Sequence, residues 1–515
     1  MTPAHRVVMN TGILYARMAI TVVLSLYTTR VVLDALGIDD FGIFNLVGGV
    51  IAMLTFLNAS MAAATQRFMS FAQGQGDEGR QLSIFNASLV LHAGISLVLL
   101  LLLQIAGYVL FNGVLQIEPD RMHAAWVVYQ ISIITTLFTI IGVPYDAVVN
   151  ARENMLLFAV LGIIESVLKL LIALLIVDMA GDKLVVYGVL TAITAVILFA
   201  LRAAYCHVRY QECSLAIRTS FDKRLLREMT AFAGWSFLGS STSMLTNYGQ
   251  GLLLNIFFGA TANAAQGIAS QVNGQLSVFA NTMLRALNPM IVKSEGAGHR
   301  QRMLVASMLG NKIGFFLLTF FYVPVFIEMP MIFSLWLVTV PEYAIVFCRL
   351  MLIRSLVEQL YVTLNSSISA VGNIRNFQLS NAALNIFPLA VAAVLFYVGA
   401  HPATLYMVFI IYAILGMIVA VYFASAYCQL SIAVYFREVV VLCSMSFLFS
   451  LLVTSLPLLW FPENIERLFL VCGVSVIVVP SAAWFFGSSK QDRKMYVTMF
   501  RSLLSRVMAV NKKGM

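Results

Sequence analysis

An all-α polytopic membrane protein with about 14 transmembrane helices is the fold class that three features of this 515-residue chain predict. The set AVILMFWYC supplies 61% of the residues and DEKR only 11%, against roughly 25% charged residues in soluble domains. The apolar residues are gathered in blocks of roughly 20 to 28 with short polar breaks, the length a helix needs to cross hydrocarbon. The blocks are also continuous, as in LVLHAGISLVLLLLLQIAGYVLF, where an outer-membrane strand would alternate. A solvent-facing multidomain enzyme would need far more surface charge, and disorder and coiled coil are excluded by the same composition.

In chain order the blocks fall at 8–29, 41–66, 85–111, 124–148, 156–177 and 184–204, then 230–257, 264–288, 304–327, 343–368, 377–399 and 403–425, then 439–460 and 466–487. This organises the chain as a six-helix N-terminal lobe (1–204), a basic cytoplasmic linker (205–229), a six-helix C-terminal lobe (230–425), an additional helix pair (426–488) and a basic cytoplasmic tail (489–515). Of the 32 Lys and Arg, 22 fall on one side of these spans, four on the other and six within them. The positive-inside rule then puts both termini in the cytoplasm, and the formal charge of +9 reflects that bias rather than nucleic-acid binding. The linker is expected to lie on the anionic inner leaflet, and the tail reads as an amphipathic interfacial helix. Six cysteines without a CxxC pair indicate neither a metal knuckle nor a disulfide framework. No small-residue cleavage site follows the N-terminus, so no removable signal peptide is read.

The lobes look like repeats. At an offset of 222 residues Gly12, Gly37, Gly74 and Gly76 fall on Gly234, Gly259, Gly296 and Gly298. Repeats of six spans are parallel, related by an axis along the membrane normal. Five spans also carry polar residues at helical spacing. These are Asn10, Arg17, Thr21, Ser25 and Thr28 in the first; Asn45, Gly48, Ala52, Thr55, Asn58 or Ala59, Ala62 and Gln66 in the second; and Tyr129, Ser132, Thr136, Thr139 and Asp146 in the fourth. The seventh has Ser236, Ser240, Ser243, Asn247 and Gln250. The eighth is richest, with Gln266, Ser270, Asn273, Ser277, Asn281, Arg285 and Asn288. Such stripes serve either close helix packing or a water-filled path.

Charges inside spans sharpen the choice, because each must find a partner or water. Arg17, Arg285, Arg349 and Arg354 make the interior cationic, which suits an anion with phosphate oxygens, while the amides and hydroxyls suit sugars. Arg17, Asn247, Asn281, Arg285 and Arg349 are therefore the substrate-contact candidates. Glu165 with Lys169 and Arg354 with Glu358 are i,i+4 pairs that either stabilise or gate, and Asp39 joins them as a gating or ion-coupling candidate at the outer junction of the first two spans. Asp39 and Asp40 are placed to cap the second helix, Lys312 and Asp146 to snorkel at cytoplasmic ends, and His92, alone in its span, to pack. No catalytic or metal residue is assigned. No Walker A sequence is present, so no cofactor is expected, and coupling would come from sodium, protons or the membrane potential.

The stretch TTRVVLDALGIDDFGIFNLVGGVIAMLTFLNASMAAATQRFMSFAQGQGD, with IIGVPYDAVVNAREN and LWLVTVPEYAIVFCRLMLI further on, resembles the oligosaccharide-lipid flippases and polysaccharide exporters of the multidrug/oligosaccharidyl-lipid/polysaccharide (MOP) superfamily. The resemblance implies two six-helix lobes in a V around a central cavity that opens alternately, with a final helix pair as in many polysaccharide members. It implies a flippase of the bacterial inner membrane that moves undecaprenyl-pyrophosphate-linked oligosaccharide for surface polysaccharide (lipopolysaccharide or capsule) synthesis. Arg17 would then be the foremost anion contact. The implied partners are that lipid-linked oligosaccharide, anionic membrane lipids, and glycan polymerase and export machinery, with no nucleic acid. A cation-coupled multidrug exporter, which would place carboxylates in its cavity, and a membrane glycan polymerase or acyltransferase, which would carry a large outer loop, are the alternatives.

Overall fold

The computed structural model describes residues 3–54, 56–114, 117–216, 222–337, 340–490 and 492–494. All regular structure among them is helical. Among the described residues ten helices are long and apolar enough to cross a membrane, which makes this a multi-pass membrane protein. The predicted count of fourteen is not reached on that measure. The four blocks outside the ten are 41–66, which contains position 55 outside the described residues, and 230–257, 264–288 and 343–368, in which polar residues, charges or a break dilute the apolar run.

The chain divides into two compact units, 9–240 and 241–515 together with 1–8. The first contains α1 (Pro3–Leu54), α2 (Phe56–Gln75), α3 (Glu78–Val109), α4 (Met122–Ile141), α5 (Val143–Ala151), α6 (Met155–Val177) and α7 (Lys183–Arg209). Side-chain caps fix three of the starts. Asp77 accepts from the Arg80 amide ahead of α3, Asn154 from Leu157 ahead of α6, and Asp182 from Leu184 and Val185 ahead of α7. Pro144 sits in the first turn of α5, where its missing N–H costs nothing, so the predicted fourth span bends at Gly142. The core of the unit joins Ile43, Val47 and Ile51 of α1 to Leu103, Val128 and Tyr129, and a second cluster joins Val32 to Ile172, Ile176 and Tyr187.

The second unit opens within α8 (Lys223–Gly296) and continues with α9 (Arg300–Ile327), α10 (Met329–Trp336), α11 (Ala344–Gln359), α12 (Val362–Val371), α13 (Arg375–Tyr397), α14 (Thr404–Cys428), α15 (Ile432–Tyr435), α16 (Leu442–Thr454) and α17 (Ile465–Phe485). The predicted tenth span is thus two helices, α11 and α12. The terminal α16 and α17 pack on each other and on α9, where Val323 and Ile327 meet Val471 and Val479.

The glycine repeat has a conformational counterpart. α1 breaks at Gly37 (φ 79, ψ 173) and α8 at Gly259 (φ 76, ψ −168), a region that only glycine occupies readily. Gly76 and Gly298, also 222 apart, close the following corners at φ 71 and 74. α1 and α8 are therefore each a long helix interrupted at a glycine.

One expectation, that for Lys312, changes. The described part of the linker is structured and packs on its own unit. α7 continues to Arg209, a short turn follows at Gln211–Cys213, and α8 begins at Lys223, with 217–221 outside the described residues. Glu212 is buried and takes two bonds from Arg152, at 2.7 and 2.8 Å. Buried Asn86 clasps the next segment, accepting from the Ala216 amide at 3.0 Å and donating to the Ser214 carbonyl at 3.0 Å. Lys312 does not snorkel: its side chain is 3% exposed and reaches Asp492 at 2.6 Å and Glu438 at 4.0 Å. The amphipathic tail helix falls on 495–515, outside the described residues.

Candidate functional site

Sequence spacing treated five polar stripes alike; the structure separates them by what their polar groups bond. In α1 and α4 much of the polarity turns back on its own helix. Thr21, Thr28, Asn45, Thr136 and Thr139 all donate to carbonyls three or four residues earlier, which lets a hydroxyl or amide sit in a membrane helix without any cavity. Tyr129 is buried and donates to the Leu103 carbonyl at 2.6 Å, and its ring fills the space that a side chain at Gly107 would need.

The stripe on the first arm of α8 is spent on packing. Thr246 donates to the Asn385 carbonyl of α13 at 2.8 Å, and the Asn385 amide reaches Ser243 at 3.0 Å. Asn247 lies outside that junction and is exposed.

The second arm of α8, 260–296, differs. Asn273 accepts from Tyr322 of α9 at 3.0 Å and from Ser355 of α11 at 2.7 Å, Ser277 lies 3.2 Å from the same tyrosine hydroxyl, and Asn288 accepts from Ser366 of α12. Together with buried Gln266, these residues knit α8 into its unit. Ser270, Asn281 and Arg285 instead lie on an exposed face, joined by Asn263, Gly267, Gln271, Gly274 and Gln275. At about 100° per residue the predicted stripe straddles the border between the two faces. Its packed half bears out the packing alternative, and the stripe omits Gln271 and Gln275. The amides of Gln271, Gln275 and Asn281 make no bond to another described residue. Polar groups so arranged are poorly suited to acyl chains.

The remaining candidates are distributed as follows. Arg17 is half-buried between α1 and α6, its guanidinium 4.5 Å from the centre of the Phe158 ring. It occupies the space above Gly162, where a Cβ would come within 2.2 Å of Nε. Arg349 donates to the carbonyls of Phe326 at 3.0 Å and Ile327 at 3.5 Å, closing the C-terminus of α9. Arg354 bonds Glu358 at 2.7 Å and lies over Phe409. Lys169 and Glu165 meet at 2.6 Å with both side chains largely exposed. Asp39 is exposed and caps nothing, because α1 resumes directly after Gly37.

Its neighbour Asp40 is the engaged acid. Arg121, ahead of α4, takes a two-pronged grip on Asp40 and reaches Asp182 at 3.0 Å. The bonds to Asp40 raise the arginine above its ordinary range. This ties the starts of α4 and α7 to the bend of α1. In the second unit, Arg467 holds fully buried Glu328 at 2.9 and 3.0 Å. Asp146, expected to snorkel, accepts from Arg202 at 2.8 Å. Arg121 and Arg467 are both among the four cations predicted on the outer side, but their partners Asp40 and Glu328 lie 81 and 139 residues away and were not legible in the sequence.

The helical arrangement is similar to that of solved MATE structures. Solved structures with this fold include MATE in the bent conformation (13% identity, TM-score 0.71, covering 83% of this chain and 97% of that one). An outward-facing multidrug resistance MATE family transporter of the MOP superfamily is similar at 14% identity and a TM-score of 0.69, over 84% of this chain and 98% of that one. A third is a MOP superfamily transporter from Pyrococcus furiosus Vc1, described as having a binding pocket of reverse polarity that suggests a different function (13% identity, TM-score 0.70, 83% and 96% covered). No family model matches the chain, and no curated protein sequence matches it.

Proposed function

We propose that the protein is an alternating-access transporter of the bacterial inner membrane, with both termini cytoplasmic, whose cargo is an anionic, sugar-bearing lipid such as undecaprenyl-pyrophosphate-linked oligosaccharide. The observation that carries the reading is the exposed face of α8, where Gln271, Gln275 and Asn281 offer uncommitted amides in line with Arg285. Amides exchange hydrogen bonds with sugar hydroxyls at little net cost, and a guanidinium matches phosphate oxygens. The acids Glu165, Glu358 and Asp146 inside the predicted spans are engaged, by Lys169, Arg354 and Arg202. A cationic drug would find few carboxylates to bind.

The fold comparisons favour a second reading, a cation-coupled multidrug exporter, since one similar structure is a multidrug resistance transporter. Binding to the purified protein separates the two. The first reading expects a lipid-pyrophosphate oligosaccharide to bind at least about tenfold more tightly than a lipophilic cation such as ethidium, with Arg285→Ala losing most of that preference. The reverse order of affinities would establish the second.

A further inference from the structure

The hairpin of α2 and α3 holds a file of buried polar atoms that the cargo reading leaves unused. Ser88, His92 and Ser96 recur every four residues on α3 and are 0%, 0% and 6% exposed. On α2, Ser60 and Thr65 are 2% and 0% exposed. The helices pack as an antiparallel pair around the Gly76–Asp77 corner. Counting back from it at about 1.5 Å per residue sets Gln73 level with Gln81, Thr65 with Ser88, Ser60 with His92 and Asn58 with Ser96. In each of these eight residues one buried side-chain atom makes no hydrogen bond: the hydroxyls of Ser60, Thr65, Ser88 and Ser96, the amide oxygens of Asn58, Gln73 and Gln81, and Nε2 of His92. Helix hydroxyls normally bond their own backbone, so a run of unpaired ones is unusual and fits a chain of water better than dry packing.

The tautomer of His92 is fixed by geometry. Its Nδ1 lies 2.8 Å from the Ser88 carbonyl oxygen, which only accepts, so Nδ1 carries the hydrogen and Nε2 keeps its lone pair. The titratable groups on the elements packed against α3 are occupied elsewhere. Arg67 of α2 lies over Phe68 and Phe71; Tyr129 of α4 is bonded to Leu103; and His123 stands at the far end of α4, 31 residues from His92 in sequence. Tyr145 and Asp146 of α5 bond His207 and Arg202, and Glu212 of the docked turn bonds Arg152, with Cys213 buried beside it.

We propose that this hairpin is a hydrated proton-exchange site in which His92 Nε2 takes a proton from water in the file, becomes imidazolium, and returns it to water, with no other bond changed. Its use in coupling rests on the transport reading; its chemistry does not. The test follows the imidazole nitrogens of 15N-histidine-labelled full-length protein in lipid nanodiscs between about pH 5 and 8. His92→Gln assigns the resonance or, if that variant does not fold, replacement of His5, His123, His207, His299 and His401 leaves His92 alone. The expected result is a single neutral tautomer at the upper limit that converts reversibly to imidazolium within the range, with deuterium exchange at the ring complete within minutes. A ring that stays neutral throughout, as a dry interior demands, or exchanges only over many hours, overturns the proposal. The titration is read without cargo. A failed cargo assay therefore leaves this site standing, and a failed titration leaves the cargo reading untouched.

Discussion

Replacing Gly259 with alanine isolates the backbone requirement at the bend of α8. A Cβ there has nothing within 4 Å, and the same holds at Gly37, so no steric contact enters the cost. What remains is the conformation, φ 76 and ψ −168 at Gly259 and φ 79 and ψ 173 at Gly37, which costs a non-glycine residue roughly 1–3 kcal/mol. Thermal unfolding in detergent should fall by about 2–4 °C per kcal/mol for units of this size, a loss of roughly 2–12 °C for each variant. Because the two glycines lie in different compact units, their losses should add within about 0.5 kcal/mol. Gly42→Ala is the control: it is helical, exposed and equally free of neighbours, and alanine should be neutral or stabilising there by about 0.5–1 kcal/mol. Midpoints for Gly37→Ala and Gly259→Ala at or above the wild-type value would refute the argument that positive φ at these two bends holds the repeat in shape.

Three further outcomes follow from particular contacts. Glu328→Gln leaves Arg467 without its buried partner and should cost about 3–5 kcal/mol in chemical unfolding, whereas Glu328→Leu combined with Arg467→Met should recover most of that loss; equal losses in both would contradict the pairing. Cys213 is buried, and hydrogen bonding to Cys206 together with burial pushes its thiol up, so maleimide should not label it at pH 8 until Asn86→Ala or Glu212→Ala releases the turn. Gly162→Leu should displace the Arg17 guanidinium from Phe158 and lower transport to the same extent as Arg17→Ala, while Gly473→Ala, helical, exposed and free of neighbours, should leave transport unchanged.

The fold was legible because its signals are coarse and local. Block length predicts membrane helices, whereas the division of the fourth block into α4 and α5 at Gly142 was not anticipated. The shared positions of Gly37 and Gly259 follow from a conformation that other residues avoid. The span count was less legible, because α8 and the α11–α12 pair carry enough polarity to lose the apolar signature. Side-chain fate was least legible. Asn273 and Ser270 look alike in sequence, yet one accepts from Tyr322 and Ser355 and the other is exposed, and only the packing of α9 and α11 decides between them. Arg349 reads as an intramembrane cation, and the structure spends it on two helix-end carbonyls. Lys312 fails as a snorkelling residue because its partner Asp492 lies 180 residues away.

The account's central claim, that the polar face of α8 carries an anionic glycolipid, is tested most directly by the initial rate at which a fluorescent lipid-pyrophosphate oligosaccharide changes leaflet in vesicles holding the purified protein. The account predicts transfer well above that of empty vesicles, reduced at least about tenfold by Arg285→Glu and by Gln271→Leu with Gln275→Leu, in protein that remains monodisperse. Transfer no faster than in empty vesicles, or transfer indifferent to all three substitutions, would contradict it.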